Sequence, residues 1–307
     1  MTHLGTVLGL FLMLMIGYGC KKVHLLKEEH SQILNKIILN ITLPCFLLAH
    51  LLGSKFTPNM FVTPLVFYTI IFITLIVSYF ICKLFKFNQK LTYAIVLTAS
   101  FANTGYLGYP IVEALFKGNP QAMPTAVIID LLGCGLLVYI LPPILSKIII
   151  KDEEHKESIL KNILDVLKTP IMIVTIFGLI FHNLQLPNFI LEPLNRFSGA
   201  TVPLIMIAIG LKLNPVKGSK YIIPILIVFI LKMILQPILM YYGLGAIIHE
   251  KYIIDIATIQ IGLAPAMILS IYTENYKGDV DFASTVIFIC TMLTILTVPL
   301  TAIILGI

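Results

Sequence analysis

Apolar runs separated by short polar clusters fill the chain from end to end. Ten runs can be marked, at 4–20, 33–52, 60–82, 91–116, 122–146, 169–183, 188–211, 221–247, 252–273 and 282–305. An α-helix rises about 1.5 Å per residue and needs about 20 apolar residues to cross the hydrocarbon of a bilayer. Each run therefore predicts a membrane-crossing helix, numbered here as segments 1 to 10, with segment 6 the shortest. Barrel strands would need runs of about ten residues with alternating polarity, and nothing in the chain alternates. Segment 1 has no Lys or Arg before it and many apolar runs after it, so it reads as a retained helix rather than a signal peptide.

The pattern breaks inside segment 4. In "ASFANTGYLGYPIVEALFKG" (99–118), Asn103, Thr104, Gly105, Gly108 and Pro110 interrupt a run that is apolar on both sides. A proline has no N–H, and its ring clashes with the preceding turn, so Pro110 predicts a break or kink. Gly105 and Gly108 would let the backbone unwind, at about 1 kcal/mol each relative to Ala in a helix. Peptide groups exposed to lipid cost several kcal/mol, so such a break survives only inside protein or against a water-filled cavity. Segment 9 carries a second break signal at Pro265, beside Gln260 and Gly262. The bland alternative is a simple proline kink with Asn103 bonding a neighbouring helix.

Laying the second half of the chain on the first explains why there are two breaks. "ITLPCFLLAHLLG" (41–53) matches "ATVPLIMIAIGLKL" (200–213), and "YPIVEALFKGNP" (109–120) matches "APAMILSIYTENYKGD" (264–279). "YILPPIL" (139–145) and "TVPLTAIIL" (297–305) then close each half. Each repeat holds an odd number of helices, so the second copy enters the membrane from the opposite side, as in many secondary transporters. The expected organisation is a first repeat at 1–150, a linker at 151–168 and an inverted repeat at 169–307. In the linker, Ile159, Leu160, Ile163, Leu164 and Leu167 share one helical face opposite Lys161, Asn162 and Asp165, which reads as an interfacial helix.

Composition agrees with the pattern. The chain has 307 residues, of which 58% are hydrophobic and only 12% charged, against about 25% charged in soluble domains. The net charge of +6 is explained by position and implies no nucleic-acid partner. Fourteen Lys or Arg fall in the loops after segments 1, 3, 5, 7 and 9, against four (Lys55, Lys117, Arg196, Lys251) in the alternate loops. The positive-inside rule then puts the basic loops in the cytoplasm and both termini outside. The five cysteines form no CxxC pair and the seven histidines no HExxH motif, so neither a disulfide framework nor a metal site is expected. No Walker A motif is present, so direct ATP drive, and any cofactor, is not expected. No catalytic constellation is legible either.

"FANTGYLGYPIVEALFKG" and the final "DFASTVIFICTMLTILTVPLTAIILGI" resemble the auxin efflux carrier family, which includes PIN-type plant auxin exporters and bacterial and archaeal organic-acid carriers. The resemblance extends over all ten segments. It implies a scaffold of segments 1, 2, 6 and 7, dimeric through those helices, and a transport domain of segments 3–5 and 8–10 that moves as an elevator. It further implies that the substrate, a small organic anion, is held by Asn103 and the crossing at Pro110 and Pro265, with Asn40 and Pro44 of segment 2 facing it. Two positions depart from the family pattern. Met267 and Ile268 follow the second proline where a polar residue is usual, leaving Gln260 as a substitute, and Thr169-Pro170 replaces an Asn-Pro. The long cytoplasmic loop of the plant exporters is absent.

Isolated charge in hydrocarbon is costly, so each intramembrane charge is a functional candidate. Asp130 in segment 5, Lys232 in segment 8 and Glu113 in segment 4 qualify, and Asp130 or Glu113 could pair with Lys232 and titrate during transport. Glu113 reads equally as a surface residue and Lys232 as a structural partner, while Glu250 and Asp255 read as solvated at a helix end. The sequence thus predicts an all-α secondary transporter with broken helices 4 and 9, with a passive anion channel or a membrane sensor of the same fold as the alternatives.

Overall fold

The computed structural model describes residues 2–151, 164, 166–213 and 221–307, with side chains from Gly5 onward. The interfacial face expected at Ile159, Leu160 and Ile163 lies outside the described residues. Among the described residues the protein is all helical and has no strand, with twelve helices, seven of them long and apolar enough to cross a membrane. They are α1 (Thr2–Lys22), α2 (His30–Leu51), α3 (Pro58–Leu84), α4 (Gln89–Ser100), α5 (Gly108–Leu115) and α6 (Ala122–Ile149). There follow α7 (Pro170–Ile180), α8 (Asn188–Lys212), α9 (Ile222–Gly245), α10 (Lys251–Ile261), α11 (Ile268–Asn275) and α12 (Val280–Leu305).

Twelve replaces ten because segments 4 and 9 are each two helices, α4 with α5 and α10 with α11. Segment 6 is the short α7. Thr169 sets its start, accepting from Met172 N–H, and Pro170 fills the first position, where a missing N–H costs nothing.

Three long helices contain a π-turn, at Ile38–Thr42 in α2, Ile129–Gly135 in α6 and Ile230–Leu235 in α9. Two of these run almost directly into a proline, Pro44 and Pro237. A proline inside a helix deprives an earlier carbonyl of its donor, and a wider turn absorbs the mismatch. Asn40, Asp130 and Lys232 all lie on these turns.

The chain divides into two compact units. Unit 1 comprises Met1–Thr57, Tyr109–Val127 and Leu164–Leu213, and unit 2 comprises Pro58–Gly108, Ile128–Ile163 and Asn214–Ile307. Unit 1 is held by backbone-close helix packing. Gly17 lies against the backbone of Ile207, and a Cβ on Gly210 would stand 2.8 Å from Tyr18 N, so α1 and α8 touch where both lack side chains. Small residues at such contacts are how membrane helices gain van der Waals packing without a hydrophobic driving force. The Thr201 hydroxyl joins α8 to α2 by donating to Thr42 O at 2.9 Å. In unit 2, Gly133 of the α6 π-turn lies against Phe67 of α3, and the Tyr68 hydroxyl donates to Leu132 O within the same turn.

Candidate functional site

Helix stops at Ser100 and resumes at Gly108, and it stops again at Ile261 and resumes at Ile268. The two interruptions are joined to each other within unit 2. Asn103 N–H donates to Ala264 O at 2.9 Å and Ala266 N–H donates to Phe101 O at 3.1 Å, so Ala102 and Pro265 face each other across a single antiparallel bridge. In a pair of this kind the facing residues' own N–H and C=O point away from the partner. Pro265 therefore lacks only a donor that the bridge does not use. The Ala102 carbonyl accepts from Cys134 Sγ at 3.3 Å.

Both helices that end at the break are capped by α9. Gln236 Nε2 donates to Ser100 O (3.1 Å) and Ala99 O (3.3 Å) at the end of α4, and to Thr74 Oγ1 (3.0 Å) of α3. Its Oε1 accepts from Lys232 Nζ, which also donates to Ile261 O at 2.8 Å, the last residue of α10. Both side chains have zero exposure. The last carbonyls of a helix have no internal donor and carry partial negative charge. An amine and an amide one turn apart supply donors to both ends.

Asn103 closes the other side. Its carbonyl accepts from Leu107 N–H (3.3 Å) and Gly108 N–H (3.1 Å), which starts α5. Its side chain is 6% exposed, and its Nδ2 is buried with no hydrogen-bond partner among the described residues. The Thr104 hydroxyl donates to the Asp130 carboxylate, while Thr104 O accepts from Gln260 Nε2 at 3.3 Å. Gly262 caps α10 and lies against Pro237.

The glycines and Pro110 act differently from the sequence expectation. Neither Gly105 nor Gly108 has a positive φ, so conformational freedom is not their contribution. They provide room. A Cβ on Gly105 would stand 3.2 Å from Asp130 Oδ2, and one on Gly108 would stand 2.9 Å from Gln260 Nε2. Pro110 lies past the break, in the first turn of α5, where its N–H would have had no helical partner in any case.

The acid–base pair expected at Lys232 is replaced there by neutral acceptors, the Gln236 amide and the Ile261 carbonyl. Asp130 is partly buried on its π-turn, and Glu113 is exposed on the part of α5 that belongs to unit 1. Asn40 and Pro44 belong to unit 1; Asn40 is exposed and donates to Lys36 O at 2.8 Å, while Pro44 is buried. Asp255 is not solvated as expected. It is 3% exposed and accepts from Lys251 Nζ at 2.6 Å. The reading of the sequence missed Gln236, Thr74 and Cys134, and the signal for Gln236 was its place four residues after Lys232 in an otherwise apolar run. Among the described residues no group of three or more His, Cys, Asp or Glu could hold a metal ion.

Residues 2–302 match the family model described as membrane transport protein. A protein of Methanocaldococcus jannaschii named as an uncharacterized transporter is 29% identical over 311 residues, covering 98% of each chain. Another of the same description, from Methanothermobacter thermautotrophicus, is 25% identical over 304 residues, covering 98% of this chain and 97% of its own.

Proposed function

Because the chain belongs to the auxin efflux carrier family of membrane transport proteins, we propose that it is a secondary transporter of a small organic anion whose binding site is built on the paired breaks. The observation that carries this reading is Asn103, a buried side-chain donor with no partner among the described residues, held beside a backbone bridge between two interrupted helices. A buried donor left unpaired costs free energy in the empty protein, and a carboxylate would satisfy it. The helices α5 and α11 both begin at the breaks, and N-terminal N–H groups favour negative charge. The buried Lys232 side chain adds a donor on the α10 side of the bridge.

The mechanism is an elevator in which segments 3–5 and 8–10 carry the substrate while segments 1, 2, 6 and 7 act as scaffold and dimer contact. The grouping of segments 1, 2, 6 and 7 in one compact unit supports it, although residues 109–127 of segments 4 and 5 fall in that unit too; so does the recurrence of an interrupted helix in both halves of the sequence, the signature of an inverted repeat. Asp130 is the proton-linked group, because it binds the Thr104 hydroxyl within the break itself. The membrane contains the protein as a multi-pass chain with its termini outside.

Screening the purified protein for thermal stabilisation by organic acids, then measuring uptake of the hits into proteoliposomes, tests the function. Saturable uptake with counterflow is expected. Flux that never saturates would make the protein a channel.

A further inference from the structure

Among the described residues, the chain enters the left-handed region on a residue other than glycine at four helix ends, and the choice of residue differs between the two ends of unit 2. The ends of α1, α3 and α11 close with the same pair of hydrogen bonds. The residue after the cap donates to the carbonyl three back (His24 to Lys21, Lys86 to Lys83, Lys277 to Glu274). The next residue donates to the carbonyl five back (Leu25 to Cys20, Phe87 to Cys82, Gly278 to Thr273). This motif calls for a left-handed residue that is ordinarily glycine, since a Cβ there crowds the following carbonyl. Here the positions are His24, Lys86 and Lys277, at φ 60°, 55° and 58°, and Lys151 after α6 has φ 62°. The same motif ends α12, where Ile307 N–H donates to Ala302 O, and there the residue is Gly306.

Within unit 2 the lysines gather at one end. Asp279 N–H donates to Lys90 O at 3.1 Å, tying the turn after α11 to the start of α4, just past the turn after α3. The Tyr93 hydroxyl donates to Pro142 O at 3.1 Å and brings the last turns of α6 to the same end. Lys83, Lys86, Lys90, Lys147, Lys151 and Lys277 are all exposed. Among the described residues the exposed acids beside them are Glu274 and Asp281, and Asp152, Glu153 and Glu154 follow Lys151 in the sequence; the carboxylate of Asp279 is bound by the Tyr221 hydroxyl. Gly306 closes the opposite end of α12.

A lysine near a helix C-terminus gains from the helix dipole, but that gain is the same at either end of the protein and does not account for lysine at one and glycine at the other. What differs is the charge that each end presents. The lysines terminate α3 and α6, two of the apolar spanning helices, so their stems lie at the level of lipid headgroups, where basic residues are attracted to anionic lipid. We propose that this end of unit 2 is a binding surface for anionic phospholipid headgroups, and that Lys86, Lys151 and Lys277 occupy strained positions because glycine would supply no charge there.

Melting of the purified full-length protein in phosphatidylcholine nanodiscs, with and without phosphatidylglycerol, tests this, comparing wild type with a Lys86→Gly, Lys151→Gly, Lys277→Gly triple variant. Phosphatidylglycerol should raise the melting temperature of wild type, and added salt should remove the gain. The triple variant should melt no lower than wild type in phosphatidylcholine, yet keep less than half of that gain. The matching Lys→Gln variant retains the strained backbone and should lose the gain equally. Inorganic phosphate should not reproduce the shift. The proposal is overturned if either variant keeps the full gain, if phosphate alone supplies it, or if the glycine variant melts lower in phosphatidylcholine, which would make the lysines part of the fold.

Discussion

Lys232 and Gln236, one turn apart on α9, together satisfy the terminal carbonyls of both helices that end at the break: Ile261 O through the amine, Ala99 O and Ser100 O through the amide. Because Gln236 Oε1 also accepts from Lys232, neither residue is replaceable alone. Gln236→Leu strands a buried amine and two carbonyls and should cost about 3 kcal/mol of stability in detergent. The Lys232→Met, Gln236→Leu double variant should cost less than the sum of the single variants, because the hydrogen bond between the two side chains is then lost only once. Strict additivity in the melting data would contradict the shared cap.

Gly105 is required by Asp130 rather than by the backbone. Gly105→Ala should destabilise by about 1 kcal/mol or more as the new methyl crowds Asp130 Oδ2. In an Asp130→Ala background the same change should be nearly neutral, which a double-mutant cycle on melting would read directly.

The contact between α1 and α8 in unit 1 makes a separate prediction. Gly210→Ala would push a methyl into the backbone of Leu14 and Tyr18, costing about 1–3 kcal/mol. Substrate affinity of the fraction that folds should be unchanged, since this contact belongs to unit 1 and Asn103 to unit 2.

Stability should also respond to pH at the α9–α10 turn. Asn59 Nδ2 donates to both Glu250 carboxylate oxygens, at 2.6 and 2.7 Å, and this holds the Glu250 carboxyl below the usual value. A carboxyl with a depressed folded pKa contributes stability that is complete above its unfolded pKa and lost as pH falls through the folded one. Acid should therefore cost wild type a stabilisation that Asn59→Ala has already lost. The difference in melting temperature between the two proteins should narrow as pH drops below the carboxylate range.

The apolar runs made the helices legible, because a crossing helix must be apolar over its whole length. The runs of α3, α8 and α12 were placed to within two residues at each end. What the runs conceal is the π-turn, since one extra residue leaves an apolar stretch apolar. The position of the break was misread for a related reason. Pro110 marks where a helix can start as readily as where one must stop, and Asn103 had already ended the first half by bonding across to Ala264. Gln236 was passed over because its acceptors come from α4, whose end lies more than a hundred residues earlier in the chain. The left-handed lysines read as ordinary loop charge until their φ values separated them from glycine.

The central claim is that the break exists to present Asn103 to a substrate. The direct test is to measure the affinity of purified Asn103→Ala for an organic acid that stabilises wild type, alongside its melting temperature without ligand. The backbone N–H and carbonyl of residue 103, which hold the bridge and start α5, survive this substitution. The variant should therefore melt like wild type, or slightly higher, because an unpaired buried donor has been removed. Affinity should fall by the worth of one hydrogen bond to a charged group, about 1.5–3 kcal/mol, or roughly 10- to 150-fold. Wild-type affinity in a variant that melts markedly lower would contradict the account and make Asn103 a structural residue.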